Sequence, residues 1–377
     1  MNRSIVTLAI AGALSLTALP AEAAVINGVN GQGALWQINV PDTGWNGDLV
    51  VYAHGIEEPG KALVVNPDGF PFEVLGSFGY ATITSSYSST GWAVKDAFSD
   101  VHDLQAVFQA EVGAANRVYM LGASLGSIVA SQQAERFGSQ YDGALYFCAP
   151  LNGLAYSEGY FAEISLLFDY FYPGVLGFDP ANPPVYGTFD VGSMLLGVQY
   201  ALLLDPLGAL QILNVMGGDV AGTNLGEFAE SIVSAIAFLA TYGEEANDRA
   251  NGWSFDTNTT VYAGSFDDAA LNASIGRITS ANRAVNFSNQ WYTPDGDLHV
   301  PTVLLTTLHD PVVPFANAVD FTDLVDSQGK SSLFALETVD RFGHCAFSAN
   351  EILGAFFDLV AWVEYGVPPA GGDVTNP

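Results

Sequence analysis

Basic side chains are scarce in this sequence. Ten lysines and arginines stand against 40 aspartates and glutamates, so the 377-residue chain has a formal net charge of −30 at pH 7. A surface with this balance repels phosphate backbones and anionic membranes, which argues against a nucleic-acid partner. Only 13% of the residues are charged and 49% are hydrophobic, which is enough apolar material for one large core or a core with a second module.

Cysteine and histidine are also few, with two and five residues. The chain has no cysteine-rich ligand cluster and no H-x-x-E-H pattern, so the sequence implies neither a metal nor an organic cofactor. The two cysteines are Cys148 and Cys345. In an oxidising compartment an even count suggests one disulfide, and two buried free thiols are the alternative.

Long apolar runs occur twice. Residues 5–19 follow Arg3 and precede an A-x-A signal at residues 21–23, which predicts a signal peptide over residues 1–23. A signal anchor is the alternative, but the run is short for a membrane span. We therefore expect export to the periplasm or the extracellular medium, without stable membrane insertion. Residues 194–216 are interrupted by Asp205 and Pro206, which predicts two helices with a break instead of one span.

Strand-like and helix-like segments alternate over residues 24–150 and 296–366. This alternation predicts an α/β fold, with a mostly parallel sheet covered by helices on both faces. Between residues 151 and 295 the rhythm stops and apolar helical runs dominate, which predicts an inserted, mainly helical cap. Residues 367–377 are rich in glycine and proline and are predicted to form a flexible tail.

A G-x-S-x-G motif occupies residues 122–126, between a β-prone segment and a segment that can continue as a helix. A serine on such a tight turn exposes its hydroxyl above the sheet, and the flanking glycines are needed because a Cβ would clash. The pattern alone is weak, since roughly one random chain in eight of this length would contain it. With suitable partners, Ser124 is the predicted nucleophile.

A serine hydroxyl needs a base, and the base needs a carboxylate. His344 follows the last predicted strand and is the candidate base. Asp310 ends a buried strand before two prolines and is the candidate acid, while Asp340, four residues before His344, is its rival. Taken singly, a turn aspartate and a surface-loop histidine have structural explanations. Their order after Ser124, each at a strand end, favours catalysis.

An oxyanion intermediate also needs two backbone N–H donors. One is the amide that follows the nucleophile, that of Leu125. The other should come from the loop after an early strand, at residues 54–56, where Gly55 and Ile56 are the candidates and Ile56 is favoured.

Four segments together look like the α/β-hydrolase superfamily: residues 51–55 (V-Y-A-H-G), 122–126 (G-A-S-L-G), 310–314 (D-P-V-V-P) and 343–345 (G-H-C). More closely they resemble secreted bacterial serine hydrolases with a helical cap. The resemblance spans about residues 33–365 and implies the α/β-hydrolase fold with Ser124, Asp310 and His344 as the triad.

The G-H-C ending resembles tannase and feruloyl-esterase-like sequences, in which a disulfide tethers the histidine loop. Those enzymes have a cysteine directly before the serine, whereas this chain has Ala123. A bridge here would therefore join Cys345 to Cys148.

The expected activity is that of a secreted hydrolase of carboxylic esters, acting through an acyl-enzyme on a small-molecule or polymeric ester. The cap is rich in aromatic residues and poor in basic ones, which favours a neutral hydrophobic or aromatic ester, polyesters included. The alternatives are a secreted serine peptidase of the same fold and a non-catalytic binding protein on a hydrolase scaffold. Nothing in the sequence indicates an oligomeric state.

Overall fold

The computed structural model describes residues 24–41 and 44–375, so the predicted signal peptide lies outside the described residues. Nine strands in this part of the chain form one sheet. They are β1 (Ala24–Val29), β2 (Leu35–Val40), β3 (Leu49–Ala53), β4 (Ala81–Ser85), β5 (Val118–Ala123), β6 (Gly143–Phe147), β7 (Thr302–His309), β8 (Phe334–Phe342) and β9 (Gly372–Asp373).

Twelve α-helices accompany the sheet in the same part of the chain. They are α1 (Phe72–Ser77), α2 (Val94–His102), α3 (Leu104–Glu111), α4 (Leu125–Arg136), α5 (Gly153–Phe171), α6 (Val191–Leu204), α7 (Pro206–Met216), α8 (Leu225–Ala250), α9 (Asp268–Ser274), α10 (Asn282–Trp291), α11 (Ala316–Ser327) and α12 (Ala349–Tyr365).

The sheet has the order β1-β2-β4-β3-β5-β6-β7-β8-β9. The pairs β1–β2 and β2–β4 are antiparallel, and every later pair is parallel. All residues of β3 and β6 are buried, which explains their continuous apolar sequences, since strands covered on both faces need no polar alternation. The predicted mostly parallel sheet is confirmed.

Helices cover both faces of the sheet. On one face α2, α3, α4 and α11 contribute buried side chains such as Phe108, Ile128 and Phe321 to the larger core. On the other face α1 and α12 supply Leu75 and Phe356 to a second core. Because the carboxyl ends of parallel strands lie at one edge of the sheet, the loops that follow β3, β5, β7 and β8 meet there.

The six helices α5 to α10 lie between β6 and β7, in the stretch predicted as an insertion. Helices α6 and α7 meet at 97°, with the predicted break at Asp205, whose carboxylate accepts a hydrogen bond from the Leu207 amide. By length and composition alone, α8 could cross a membrane, and 33% of its most apolar window is buried in the protein.

Two local features differ from the sequence-based expectations. The helical spacing of apolar residues over residues 95–112 predicts one helix, but the structure has two, α2 and α3. They are separated at Asp103, whose amide donates to the Val101 carbonyl and so breaks the regular i→i−4 ladder. The segment predicted as a flexible tail contains β9, which pairs with β8, and Thr375 accepts a hydrogen bond from the Asp340 amide. By pairing with β8, this segment finds hydrogen-bond partners for its backbone N–H and C=O groups within the protein, whereas in a free tail these groups would bind water.

Candidate active site

Ser124 is the single residue between β5 and α4. Its backbone has φ 51° and ψ −126°, a region that residues other than glycine rarely adopt. The turn is held by two backbone hydrogen bonds, from the Ser124 amide to the Phe147 carbonyl (2.9 Å) and from the Ser127 amide to the Ser124 carbonyl (2.9 Å). The fold therefore holds Ser124, the serine that the motif predicts as the nucleophile, in a strained backbone conformation.

The two glycines of the motif allow backbone segments to approach closely. A Cβ on Gly122 would lie 2.4 Å from the carbonyl oxygen of Gly126. A Cβ on Gly126 would lie 2.2 Å from the carbonyl oxygen of Ala53, at the end of β3. Since both obstacles are backbone atoms, any larger residue would push the serine turn away from the sheet.

His344 lies between Ser124 and Asp310. Its Nε2 is 2.9 Å from Ser124 Oγ, and its Nδ1 is 2.8 Å from Asp310 Oδ2. A carboxylate accepts, so Nδ1 carries the proton, and Nε2 is then free to accept the hydrogen bond of the serine hydroxyl. This is the arrangement in which an imidazole can remove a proton from Ser124.

Asp310 directly follows β7 and is completely buried. Its Oδ1 accepts hydrogen bonds from the amides of Val312 (2.8 Å) and Val313 (2.9 Å), while Oδ2 accepts from His344. Both carboxyl oxygens are therefore engaged, and the orientation of the group is fixed by its own turn.

The rival carboxylate, Asp340, points to a different histidine. Its Oδ1 lies 3.2 Å from Nε2 of His309, and its side chain is 64% exposed. The structure therefore brings Asp310 to His344 and leaves Asp340 in a solvent-facing pair.

The His344 loop is tied to the sheet by a disulfide between Cys345 and Cys148, whose Cα atoms are 5.2 Å apart. Cys148 directly follows β6. Next to the bridge, the hydroxyl of Thr307 donates to the Gly343 carbonyl (2.9 Å). A disulfide at Cys345 and a hydrogen bond at Gly343 thus hold the chain on either side of His344.

The loop after β3 passes beside Ser124, since a Cβ on Gly55 would lie 3.5 Å from the Cβ of Ser124. The Gly55 amide donates to Asp68 Oδ2 (3.3 Å), so it is already engaged. Among the described residues, the amides of Ile56 and Leu125 have no acceptor. Of the three predicted oxyanion donors, these two are free.

His54 orients the same loop through a hydrogen bond to the backbone carbonyl of Gly55. Its ring stacks on Tyr87 with centroids 3.9 Å apart, and Nδ1 donates to the Gly55 carbonyl (2.7 Å). This carbonyl belongs to the peptide unit whose N–H is that of Ile56. Burial lowers the pKa of His54, so the ring stays neutral while it fixes that peptide plane.

A pocket of about 410 Å³ opens beside Ser124. Its walls are mainly apolar and aromatic, and they include Ile56, Phe70, Phe147, Phe238, Phe347 and Ile352. Phe238 comes from α8, so the cap closes one side of the pocket. Among the described residues that line the pocket, Asp68 is the one carboxylate, and its Oδ2 also accepts from the buried Tyr52 hydroxyl (2.6 Å).

Most of the pocket lining was not predicted from the sequence, and Tyr52, Asp68 and Phe238 illustrate why. Asp68 sits in an N-P-D-G turn, which predicts only a turn, and Phe238 is one of many aromatic residues in an apolar helix. Tyr52 lies in a β-strand and has no distinguishing pattern. Their roles depend on contacts between distant parts of the chain.

No family model and no curated protein matches the sequence. Solved structures do match. Feruloyl esterase B from Aspergillus oryzae is similar with a TM-score of 0.53 at 16% identity, covering 92% of this chain and 80% of that chain. An esterase from Aspergillus oryzae has a TM-score of 0.51 at 14% identity, with the same coverage. At these identities the likeness is one of fold.

Proposed function

We propose, on the premise that this chain has the α/β-hydrolase fold, that it is an exported serine hydrolase of carboxylic esters. Ser124 is its nucleophile, His344 its base and Asp310 its acid. The observation that carries the proposal is the position of the His344 ring, which is within hydrogen-bond distance of both Ser124 Oγ and the buried Asp310 carboxylate. Export is supported by the disulfide and by the signal-like residues 1–23.

In the proposed reaction, Ser124 Oγ attacks the ester carbonyl carbon while His344 Nε2 takes the hydroxyl proton. The amides of Leu125 and Ile56 donate to the carbonyl oxygen as it becomes negative. The tetrahedral intermediate collapses, the alkoxide leaves with the proton from His344, and an acyl-enzyme remains on Ser124. A water then gives a proton to His344 and attacks the acyl carbon. The second tetrahedral intermediate collapses, the carboxylic acid leaves, and His344 returns the proton to Ser124 Oγ.

The lining of the pocket supports a neutral ester with a hydrophobic or aromatic group. In the part of the chain that the structure describes, no lysine or arginine lines the pocket, so these residues offer an anionic substrate no cationic side chain. Polyesters whose repeating units fit the apolar walls are included in the proposal.

The experiment compares Ser124→Ala with Ser131→Ala in hydrolysis of p-nitrophenyl butyrate. Ser131 is a matched control because it lies on the same helix, is buried, and donates only to the Ile128 carbonyl of that helix. We expect kcat/KM to fall by about 10⁴-fold or more for Ser124→Ala and by less than about twofold for Ser131→Ala. Retained turnover in Ser124→Ala rules out the proposed nucleophile.

One observation favours peptide hydrolysis as a second candidate. The carboxylate of Asp68 lies at the pocket wall, where it could pair with the ammonium group of a peptide. A matched p-nitrophenyl ester and p-nitroanilide of the same aminoacyl group separate the two. Faster turnover of the anilide, reduced by Asp68→Asn, would replace the esterase proposal with a peptidase.

A further inference from the structure

The outer surface of the cap exposes an unusual number of large apolar side chains. We define this outer cap face by six of them, on α6, α7 and the first residue of α8: Leu196, Tyr200, Leu203, Leu204, Leu207 and Leu225. Leu203 is 76% exposed and Leu225 is 74% exposed. Single exposed leucines are ordinary, but a contiguous group marks an interaction surface.

Helix α6 is apolar on both sides. Met194, Val198 and Leu202 are buried against the cap, as their i, i+4, i+8 spacing requires. Leu196, Tyr200 and Leu203 follow an i, i+4, i+7 spacing on a different face of the helix, and that face is exposed to solvent. The helix contains no charged residue. An α-helix that is apolar all round is typical of a fully covered environment, which this one lacks on its outer side.

The outer cap face contains a groove. It lies between α6, α7 and α8, has a volume of about 810 Å³, and is walled by residues that include Leu203, Leu210, Leu213 and Phe228. Apolar chains from a surface in contact with the cap could enter it.

The charges near this face decide what can cover it. No lysine or arginine occurs between Arg136 and Arg249, and the charged residues along α6, α7 and the start of α8 are acids, such as Asp205, Glu227 and Glu230. An anionic lipid surface would be repelled. A second copy of the chain, with its own formal charge of −30, would be repelled as well. An uncharged apolar surface meets no such penalty.

The outer cap face is also connected to the candidate active site. Helix α8 begins at Leu225, in this face, and carries Phe238 in the wall of the pocket beside Ser124. At a rise of about 1.5 Å per residue, the two side chains are about 20 Å apart along the helix. A surface bound to the outer cap face would therefore contact the same helix that forms a wall of the pocket beside Ser124, about 20 Å from that wall.

We propose that the outer cap face adsorbs the protein onto an uncharged, water-insoluble ester surface, such as a polyester. The inference rests on the proposed ester hydrolysis for its use, but adsorption itself needs no catalysis. The inference concerns the physical state of the substrate. We infer that the protein acts on esters at the surface of an insoluble material as well as on dissolved esters.

The test measures depletion of Ser124→Ala protein from solution by poly(ε-caprolactone) particles, so that binding is separated from hydrolysis. In this background, Leu203→Asp with Leu207→Asp is compared with Tyr365→Asp with Val367→Asp. The control pair adds the same charge at exposed apolar positions outside the cap, 75% and 60% exposed. We expect the affinity for particles to fall by about tenfold or more for the cap pair and by less than about twofold for the control. Molar sodium chloride should not release the bound protein, and phosphatidylglycerol vesicles should not bind it.

Equal adsorption of the two pairs would overturn the proposal. So would a dimer of the Ser124→Ala protein, seen by sedimentation, that the cap pair converts to a monomer, because the occupant would then be a second copy. In the catalytically intact chain, the cap pair should leave hydrolysis of soluble p-nitrophenyl butyrate unchanged. Adsorption without turnover of any ester would contradict the proposed function and leave the surface inference standing.

Discussion

Two histidine–aspartate pairs lie at the same edge of the sheet and differ in almost everything except residue type. His344 and Asp310 are 2.8 Å apart, with the carboxylate completely buried and bound by two backbone amides. His309 and Asp340 are 3.2 Å apart, with the carboxylate largely exposed. Within residues 24–41 and 44–375, only the first pair contacts a serine hydroxyl, that of Ser124.

The difference shows what turns an ion pair into a candidate catalytic pair. Burial and backbone donors hold the Asp310 carboxylate in one orientation, whereas Asp340 faces solvent, which screens its interaction with His309. The disulfide at Cys345 then fixes the first histidine and has no counterpart beside the second. Two pairs of the same residue types therefore differ in burial, orientation and contacts because of where the fold places them.

The largest effect should come from the two carboxylates themselves. Asp310→Asn places an amide donor against His344 Nδ1 and favours the wrong tautomer, so we expect kcat to fall by about 10⁴-fold. Asp340→Asn should change kcat by less than about twofold. The measurement is kcat for p-nitrophenyl butyrate in both variants. Similar losses in the two would end the distinction between the pairs.

Removing the tether should have a smaller effect on both stability and activity. The double variant Cys148→Ser with Cys345→Ser opens the bridge without leaving a free thiol. We expect the free energy of unfolding to fall by about 2–5 kcal/mol, and kcat to fall by about tenfold because the His344 loop is less well positioned.

Urea unfolding and steady-state kinetics check these two expectations separately. Lower stability with unchanged kcat would show that the bridge supports the fold but does not position the base.

A third carboxyl group, that of Glu158, is buried like Asp310 but has no histidine partner in the described ranges of the chain, and we expect it to make the stability of the protein depend on pH. Glu158 on α5 is buried, and its Oε2 accepts from the amide and hydroxyl of Ser254, but its Oε1 has no partner among the described residues. Burial raises the pKa of Glu158 from 4.5 to about 7. The folded state therefore binds this proton more tightly than the unfolded state, so its contribution to stability is present below pH 4.5 and is lost as the pH rises towards 7.

Glu158→Gln keeps the acceptor for Ser254 and removes the titration. We expect the variant to be more stable than the wild type above pH 7, by up to about 3 kcal/mol, and its stability to vary less between pH 4.5 and 7. Chemical unfolding at a series of pH values measures this. Identical pH profiles for variant and wild type would mean that Glu158 does not titrate in this range. Ser231→Ala on α8, whose buried hydroxyl donates to the Ala221 carbonyl and not to a carboxylate, serves as the control for a buried polar change in the cap.

The smallest effect belongs to the exposed pair. A double-mutant cycle with His309→Gln and Asp340→Asn should give a coupling energy of less than about 1 kcal/mol in unfolding, as is usual for solvent-exposed ion pairs. A larger coupling energy would mean that the second pair has a structural role that its exposure does not suggest.

Much of the fold could be predicted because its central strands are locally unambiguous. The segments that form β3, β5, β6 and β7 are largely apolar, β3 and β7 contain several β-branched residues, and all four alternate with helical segments. Strand β1 was not predicted, since its sequence, AVINGV, has neither a clear alternation nor a continuous apolar run. The break at Asp103 was not predicted either, because both flanking segments continue one helical pattern.

The candidate site could be predicted only in part. Ser124, Asp310 and His344 carry signals in their order and in their positions at strand ends. The choice between the Gly55 and Ile56 amides depends on Asp68, which reaches Gly55 from another loop. The wall formed by Phe238 depends on how α8 packs over the sheet. Contacts of this kind are set by tertiary structure and leave no local pattern.

The most direct test of the proposed active site is the residue to which a fluorophosphonate probe attaches, identified by peptide mass spectrometry. We predict one adduct, on Ser124, that is absent in Ser124→Ala, forms at least about 100-fold more slowly in Asp310→Asn, and is unchanged in Asp340→Asn. An adduct on any other serine would contradict the assignment of Ser124 as the nucleophile, and an unlabelled wild-type protein would favour a non-catalytic binding protein on a hydrolase scaffold.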